Sequence, residues 1–366
     1  MKIERIEPIA IRLPLTKPMK MAGITLETAD NVLVRIDGEG LSGWGEAASA
    51  PTMTGETVES IMAAIHYLTP SLLGRDAQDL PQLLQDMDQR LYANSSAKAA
   101  IDIALHDLLG RAVDKPIWAL LGPQRREQLS VLWLLGNGQT EADTTEAAQR
   151  QEEGFTAFKI KVGVHDPTFD IQRTQAICEG LHAHCLIAAD ANQGWTVEQA
   201  VHYVSALAAS PLTFVEQPVA AHDLAGMARV STASRMQVGA DEGIHGLDDI
   251  HRHRETGAAQ GVSLKSIKLG GIRRVYEAAM LCERLGMQVN LAGKVAESSL
   301  ATAAVLHLAA TIPSVDWGVS PTCQYLADDV VTEPIVIQQG QVVVPCGPGL
   351  GVQIDEAKVE RYRCRV

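Results

Sequence analysis

Five polar residues recur along the second half of the chain at near-constant spacing: Asp190, Glu216, Asp241, Lys265 and Asn290, with gaps of 26, 25, 24 and 25 residues. They lie in or at the ends of short apolar segments, "CLIAAD", "LTFVE", "QVGAD", "GVSLK" and "QVNLA". A sixth segment, "FKIKVG", carries Lys159 and Lys161 two residues apart. On a strand, that spacing points both side chains to one face. Taken singly, each acid reads as a helix cap or a loop residue. Taken together, three ionised carboxylates at successive strand ends repel one another unless a cation lies among them. Oxygen donors without Cys or His favour a hard ion, Mg²⁺ or Mn²⁺, over Zn²⁺. Asp190, Glu216 and Asp241 are therefore the candidate metal ligands. Three monodentate carboxylates would leave about three of six octahedral positions for water and substrate.

The lysines point to proton transfer. Lys161 ends its segment, and Lys265 ends another four units later. A lone strand-end lysine can snorkel to solvent, but a Lys-Ile-Lys pair directed into a protein core needs another account. A lysine near a metal and a second ammonium gives up its proton more readily, so it can act as a base near neutral pH. Lys159 is expected to supply part of that depression for Lys161. Glu242, next to Asp241, is expected to hydrogen-bond Lys265 and set its charge. The combination describes one reaction class: loss of a proton from the carbon α to a carboxylate, the resulting enediolate stabilised by a cation, with a lysine on either face.

These groups need a scaffold that brings distant strand ends together. Eight candidate strands can be counted between Leu129 and Val319, the remaining ones being "LSVLWLL" and "VDWGV". A repeat of about 25 residues is one strand plus a crossover helix and loops, which implies a parallel sheet. Eight such units suggest closure into a (β/α)8-type barrel, whose C-terminal strand ends carry the chemistry. A doubly wound open sheet is the alternative that the same repeat permits. Before the repeat, residues 1 to about 60 read as strands, and 55–122 as helices, with "AKAAIDIALHDLLGRAV" apolar at three- and four-residue spacing. The tail, "PIVIQQGQVVVPCGPGLGVQI", returns to β character and is expected to pack on the first third.

Composition narrows the class. The chain has 366 residues, 46% of them hydrophobic, and a formal net charge of -13. That charge argues against a nucleic-acid or anionic-membrane partner. No apolar run approaches the roughly 20 residues of a membrane span. The opening "MKIERIEPIAIRLPL" alternates like a strand and lacks the apolar core of a signal peptide, so a cytoplasmic location is expected. Six cysteines, without CxxC pairing, are expected to be reduced and mostly buried.

As a set, "KIK", "DAN", "EQP", "ADE" and "LKSIKLGG", with "GWGEA" near the start and "GPGLG" near the end, resemble the enolase superfamily, muconate-lactonizing-enzyme subgroup. The resemblance covers the whole chain. It implies a modified TIM barrel, (β/α)7β, over residues 126–325. It also implies an α+β capping domain over residues 1–125, on which a C-terminal segment, 326–366, packs. It further implies Mg²⁺ or Mn²⁺ on Asp190, Glu216 and Asp241, Lys161 and Lys265 as opposed acid and base, and a dimer or octamer acting on a small carboxylate. A histidine would stand at Lys265 in a mandelate-racemase-like member, yet none of the eleven histidines ends a barrel strand.

Substrate contacts are expected from Asn192, Glu297 and Ser320, and from Lys20 and Met21 in the loop matching the family's specificity loop. A second loop, "ASAPTMTGE", is expected over the substrate. Muconate cycloisomerases carry a glutamate shortly after the last strand's tryptophan, where this chain reads "DWGVSPTC" with Ser320. Dipeptide epimerases carry Asp-x-Asp there, which Gly318-Val319-Ser320 cannot reproduce. The stretch is similar to that of succinylbenzoate synthase and N-succinylamino acid racemase relatives. The resemblance thus implies a racemase or epimerase of a carboxylate such as an N-substituted amino acid. Muconate-type lactonisation and dehydration of a β-hydroxy acid are the alternatives.

Overall fold

The computed structural model describes the backbone of residues 1–21 and 24–365, and the side chains of all of these except residues 20, 21 and 24. The first third forms an antiparallel meander, β1 (Arg5–Met21), β2 (Ile24–Gly38) and β3 (Leu41–Ala48), covered by helices α1 (Val58–Leu72), α2 (Leu80–Arg90) and α3 (Ser95–Ala112). Helix α1 starts at a capping box: Thr57 Oγ1 accepts from Ser60 N at 3.3 Å, and Ser60 Oγ accepts from Thr57 N at 2.9 Å. Helix α3 is buried nearly all round, because it lies between the cap sheet and the barrel. Its close approach to β3 depends on the glycines of "GWGEA". A Cβ at Gly45 would lie 2.0 Å from the Ala100 carbonyl oxygen, and one at Gly43 2.3 Å from that of Ala104.

After α4 (Ile117–Leu121) and β4 (Gln128–Ser130), the barrel strands follow in order: β5 (Leu132–Leu135), β6 (Ala157–Lys161), β7 (Leu186–Asp190), β8 (Phe214–Glu216), β9 (Gln237–Ala240), β10 (Gly261–Leu264), β11 (Gln288–Ala292) and β12 (Val319–Ser320). Each pairs in parallel with its sequence neighbour. A parallel bridge between Val131 and Val319 joins the last strand to the first. The crossovers are α5 (Thr140–Glu152), α6 (Pro167–Gly180), α7 (Val197–Ala206), α8 (Leu224–Ala233), α9 (Leu247–Glu255), the short α10 (Ser266–Leu269) with α11 (Ile272–Leu285), and α12 (Ser299–Thr311). In place of an eighth crossover helix, a 3₁₀ turn, Cys323–Tyr325, follows β12 and leads into the tail. The architecture is thus (β/α)7β with an α+β cap.

Two of the candidate strands are divided by the fold. In "LSVLWLL", Leu129 belongs to β4, which pairs with the tail hairpin β13 (Ile337–Gln338) and β14 (Gln341–Val343), while Leu132 onward enters the barrel. In "VDWGV", Trp317 turns into the barrel base before the strand begins, and Gly318 takes φ 76° to allow it. The Trp317 ring stacks on Phe214 with centroids 3.9 Å apart. Its room comes from the strands beside it, since a Cβ at Gly261 or Gly239 would lie 2.5 or 2.7 Å from the ring. The tail also reaches the cap through α13 (Glu356–Tyr362), which packs on β1, and through bridges Leu15–Leu326 and Ile11–Arg363. Four of the six free cysteines are buried, Cys346 is exposed and Cys364 half-buried.

Candidate active site

Parallel register sets the polar residues at one level of the barrel mouth. Lys161 pairs with Asp190, Asp190 with Glu216, and Glu216 with Gly239, two residues before Asp241. Lys159 and Lys161 share a face, as alternation requires, and both line a cavity with Asp190, Asn192, Glu216, Asp241, Lys265, Lys294 and Ser320. Met53, from the loop "ASAPTMTGE", closes it from the cap. The Lys20 and Met21 side chains lie outside the described residues. A larger cleft, lined by Asp88, Lys98, His245 and Arg274, lies apart from these groups.

Each carboxylate meets a lysine. Lys161 Nζ donates to Asp190 Oδ2 at 2.5 Å and to Asn192 Oδ1 at 2.5 Å. Lys159 Nζ donates to Glu216 Oε2 at 2.5 Å, with Asn290 Oδ1 at 3.5 Å. Lys265 Nζ binds Asp241 Oδ2, and Lys268 Nζ binds Asp241 Oδ1 at 2.6 Å. Burial disfavours the ammonium of Lys161 and of Lys265, but the charge of Asp190 in one case and Asp241 in the other prevails, so both amines are held above the ordinary lysine range. The expected depression belongs to the state in which a cation takes up the acids' charge, whereas here that charge falls on the lysines. Lys159 is engaged by Glu216 and Asn290 rather than set against Lys161.

Glu242 also departs from expectation. Its Oε1 accepts from Asn192 Nδ2 at 3.0 Å, and among the described residues no hydrogen bond joins it to Lys265, although its charge helps raise that amine. Burial, reinforced by the charges of Asp241 and Asp190, raises its carboxyl to about 7, and its Oε2 has no partner among the described residues. Asn192 takes φ 42° between Asp190 and Glu242 and bonds to both, its own N–H donating to Asp190 Oδ1 at 3.0 Å. Ser320 lines the cavity and its Oγ accepts from Asn290 Nδ2 at 3.4 Å. Glu297 is not among the lining residues. It packs behind Gly293, where its Oε2 would lie 2.8 Å from any added Cβ.

Sequence reasoning missed two supports. Arg173, fully buried on α6, donates to the Lys161 carbonyl, to Asp143 Oδ2 at 2.5 Å and to Asp170 Oδ1 at 3.3 Å, tying the end of β6 to two crossover helices. An arginine in a helical stretch carries no mark of that role before the fold is known. Glu46, in "GWGEA", is fully buried and crosses from cap to barrel. It accepts from Ser298 Oγ at 2.5 Å, Ser298 N at 3.0 Å, Ala301 N at 3.1 Å and Asn31 Nδ2 at 2.7 Å. It thereby caps the start of α12 and fixes the loop over 293–298. An acid between a small residue and two alanines in a strand was its available signal.

Residues 6–122 match the family model for the mandelate racemase / muconate lactonizing enzyme N-terminal domain, and residues 143–358 that for the enolase C-terminal domain-like family. The chain belongs to the enolase superfamily. Within it, the chain falls in the muconate-lactonizing-enzyme subgroup. A chloromuconate cycloisomerase of Cupriavidus necator is 33% identical over 367 residues, covering 99% of each chain. An L-Ala-D/L-Glu epimerase of Bacillus subtilis is 33% identical over 356 residues, 96% of this chain and 97% of its own. The crystal structure of an N-succinyl Arg/Lys racemase from Bacillus cereus superposes with a TM-score of 0.95 at 28% identity, covering 100% of this chain and 99% of that one. All three relatives are isomerases, and so is this member of the superfamily.

Superfamily members depend on a divalent metal, so the three acids can be tested as ligands. Asp190, Glu216 and Asp241 are buried, offer only oxygen, come from successive strands and face one cavity without His or Cys. That donor set fits a hard divalent ion. Glu216 shows the cost of gathering three acids here: burial raises its carboxyl, Lys159 opposes this, and Asp190 and Asp241 raise it further. Among the described residues no three such side chains meet at one point, each acid being drawn instead onto a lysine.

Proposed function

We propose that this enolase-superfamily member is a racemase or epimerase that moves the proton α to a carboxylate, on a substrate such as an N-substituted amino acid. The observation that carries this reading is the placement of Lys161 and Lys265 at the mouths of β6 and β10, facing one cavity from opposite sides. A proton can leave to one lysine and return from the other, which inverts the carbon. Asp190, Glu216 and Asp241 would hold Mg²⁺ or Mn²⁺, which when bound supplies electrostatic stabilisation of the charge that builds on the substrate carboxylate. With those acids engaged, desolvation is left as the main influence on Lys161 and Lys265, and it favours the neutral amine that a base must be. Asn192 orients Lys161 through its 2.5 Å hydrogen bond and links it to Glu242. Arg173 holds the Lys161 backbone in place.

Ser320 bears on the choice of reaction. It offers a hydroxyl where muconate cycloisomerases carry a glutamate and where an acidic pair of dipeptide epimerases would grip a substrate amine. Racemisation needs neither. The test is proton exchange: in D₂O with Mg²⁺, N-succinyl and other N-acyl amino acids should gain deuterium at Cα by NMR, with loss of optical rotation. A panel of such acids that keeps every α-proton would remove the reading.

Cycloisomerisation of a muconate-like diacid is the second reading, favoured by whole-chain similarity to a chloromuconate cycloisomerase. Loss of the ultraviolet absorbance of cis,cis-muconate on incubation with the enzyme would establish it.

A further inference from the structure

We infer that Lys294 anchors a second anionic group on the substrate, so that the site takes dicarboxylates or N-acyl amino acids whose acyl arm ends in a carboxylate. This rests on the reading above for the position of the reacting carboxylate, but concerns a different wall of the cavity.

Lys159, Lys161, Lys265 and Lys294 all line the cavity. The first three are matched to Glu216, Asp190 and Asp241. Among the described residues, no hydrogen bond or ion pair reaches the Lys294 ammonium, although the residue is only 6% exposed. A largely buried lysine whose ammonium opens only onto a cavity is poorly solvated, and an anion bound in that cavity would supply its counter-charge. Glu297 offsets the burial only in part: its charge favours the ammonium, but it lies behind Gly293, and among the described residues no ion pair joins it to Lys294.

Position then decides what the partner is. The acids occupy the ends of β7, β8 and the segment after β9, whereas Lys294 follows β11 on another part of the ring. Around it the lining is apolar or uncharged: Leu132, Leu134, Val295, Pro321 and Tyr325. A substrate with its reacting carboxylate at the acidic arc, and its α-carbon between Lys161 and Lys265, would extend a hydrocarbon arm along this wall. A second carboxylate at the end of that arm meets the one unmatched cation among the described lining residues. The electrostatics agree. Burial lowers the Lys294 amine to about 8; Glu297 opposes this, while Lys265 and Lys161 lower it further, so a bound anion is the group that restores its charge. Lys20 is an expected substrate contact from a cap loop; Lys294 is a partner within the barrel itself.

The test is calorimetric titration of the Mg²⁺-loaded enzyme with glutarate and adipate and with their mono-methyl esters. Wild type should bind each diacid at least tenfold more tightly than its half-ester. In Lys294→Met that ratio should fall to near one, and in Lys294→Arg it should persist. A ratio near one in wild type, or a preference that survives in Lys294→Met, would overturn the assignment. Deuterium exchange is scored separately. A diacid preference that depends on Lys294, in an enzyme that exchanges no α-proton, would keep this anchor and remove the racemase reading.

Discussion

Lys161 and Lys265 face the same cavity from strands four places apart, each bound to a different aspartate, Asp190 for the first and Asp241 for the second. Opposed lysines of this kind divide labour by face. Lys161→Ala should abolish exchange from one enantiomer and Lys265→Ala from the other, each by about 10²- to 10⁴-fold, the usual contribution of a positioned acid or base. Stereospecific deuterium incorporation, followed by NMR on each pure enantiomer, checks this. Equal loss for both enantiomers in both variants would instead indicate a shared structural effect.

Metal removal should stop the reaction. Exhaustive chelation is expected to abolish exchange, and added Mg²⁺ or Mn²⁺ to restore it. Asp190→Asn should require a higher metal concentration without unfolding, because an amide keeps the shape but removes a charge from the oxygen set. Activity that survives chelation would refute the carboxylate assignment.

Glu297 links the cavity's back wall to pH. Burial first, then the charge of Glu46, raises its carboxyl to about 8, against the opposing pull of Lys294. A carboxyl raised in the folded state binds its proton more tightly there than in the unfolded chain. Its neutral form is therefore compatible with folding at low pH, and stability falls as pH rises from the unfolded value of about 4.5 through about 8. Glu297→Gln should remove that loss, gaining on wild type by up to about 4 kcal/mol across this window. Urea midpoints of the two proteins between pH 5 and pH 9 provide the comparison. Parallel curves would show that the buried proton is absent.

Glu46 holds the cap to the loop that carries Lys294. Glu46→Ala would leave the N–H groups of Ser298 and Ala301 without this acceptor in a dry site, and the Asn31 amide with only the Ala296 carbonyl. A loss of about 3 kcal/mol is expected, read as a lower urea midpoint. KM should rise with it, since the 293–298 loop loses its tie. A stability loss with unchanged KM would confine Glu46 to folding.

Much of this site could be read before any coordinates. The strand repeat placed Asp190, Glu216, Asp241 and Lys265 at successive strand ends, because period-2 alternation and a fixed crossover length leave little freedom in where such residues fall. Lys159 and Lys161 likewise had to share a face. Glu242 was legible as a neighbour of Asp241 but not in its bonding, which depends on whether Asn192 or Lys265 reaches it first.

Local sequence determined the recurring βα unit and the identity of the polar set, because these follow from hydrophobic period and spacing within short segments, while the resemblance and not the spacing chose a barrel over an open sheet. Tertiary structure alone decided which lysine meets which acid, that Arg173 and Glu46 brace the site from outside it, and that Lys294 has no hydrogen-bonded or ion-pair partner among the described residues while Glu297 withdraws behind Gly293. These are contacts between residues far apart in the chain. They depend on how barrel, crossovers and cap pack against one another, and on which of several buried charges gains most from each partner within reach.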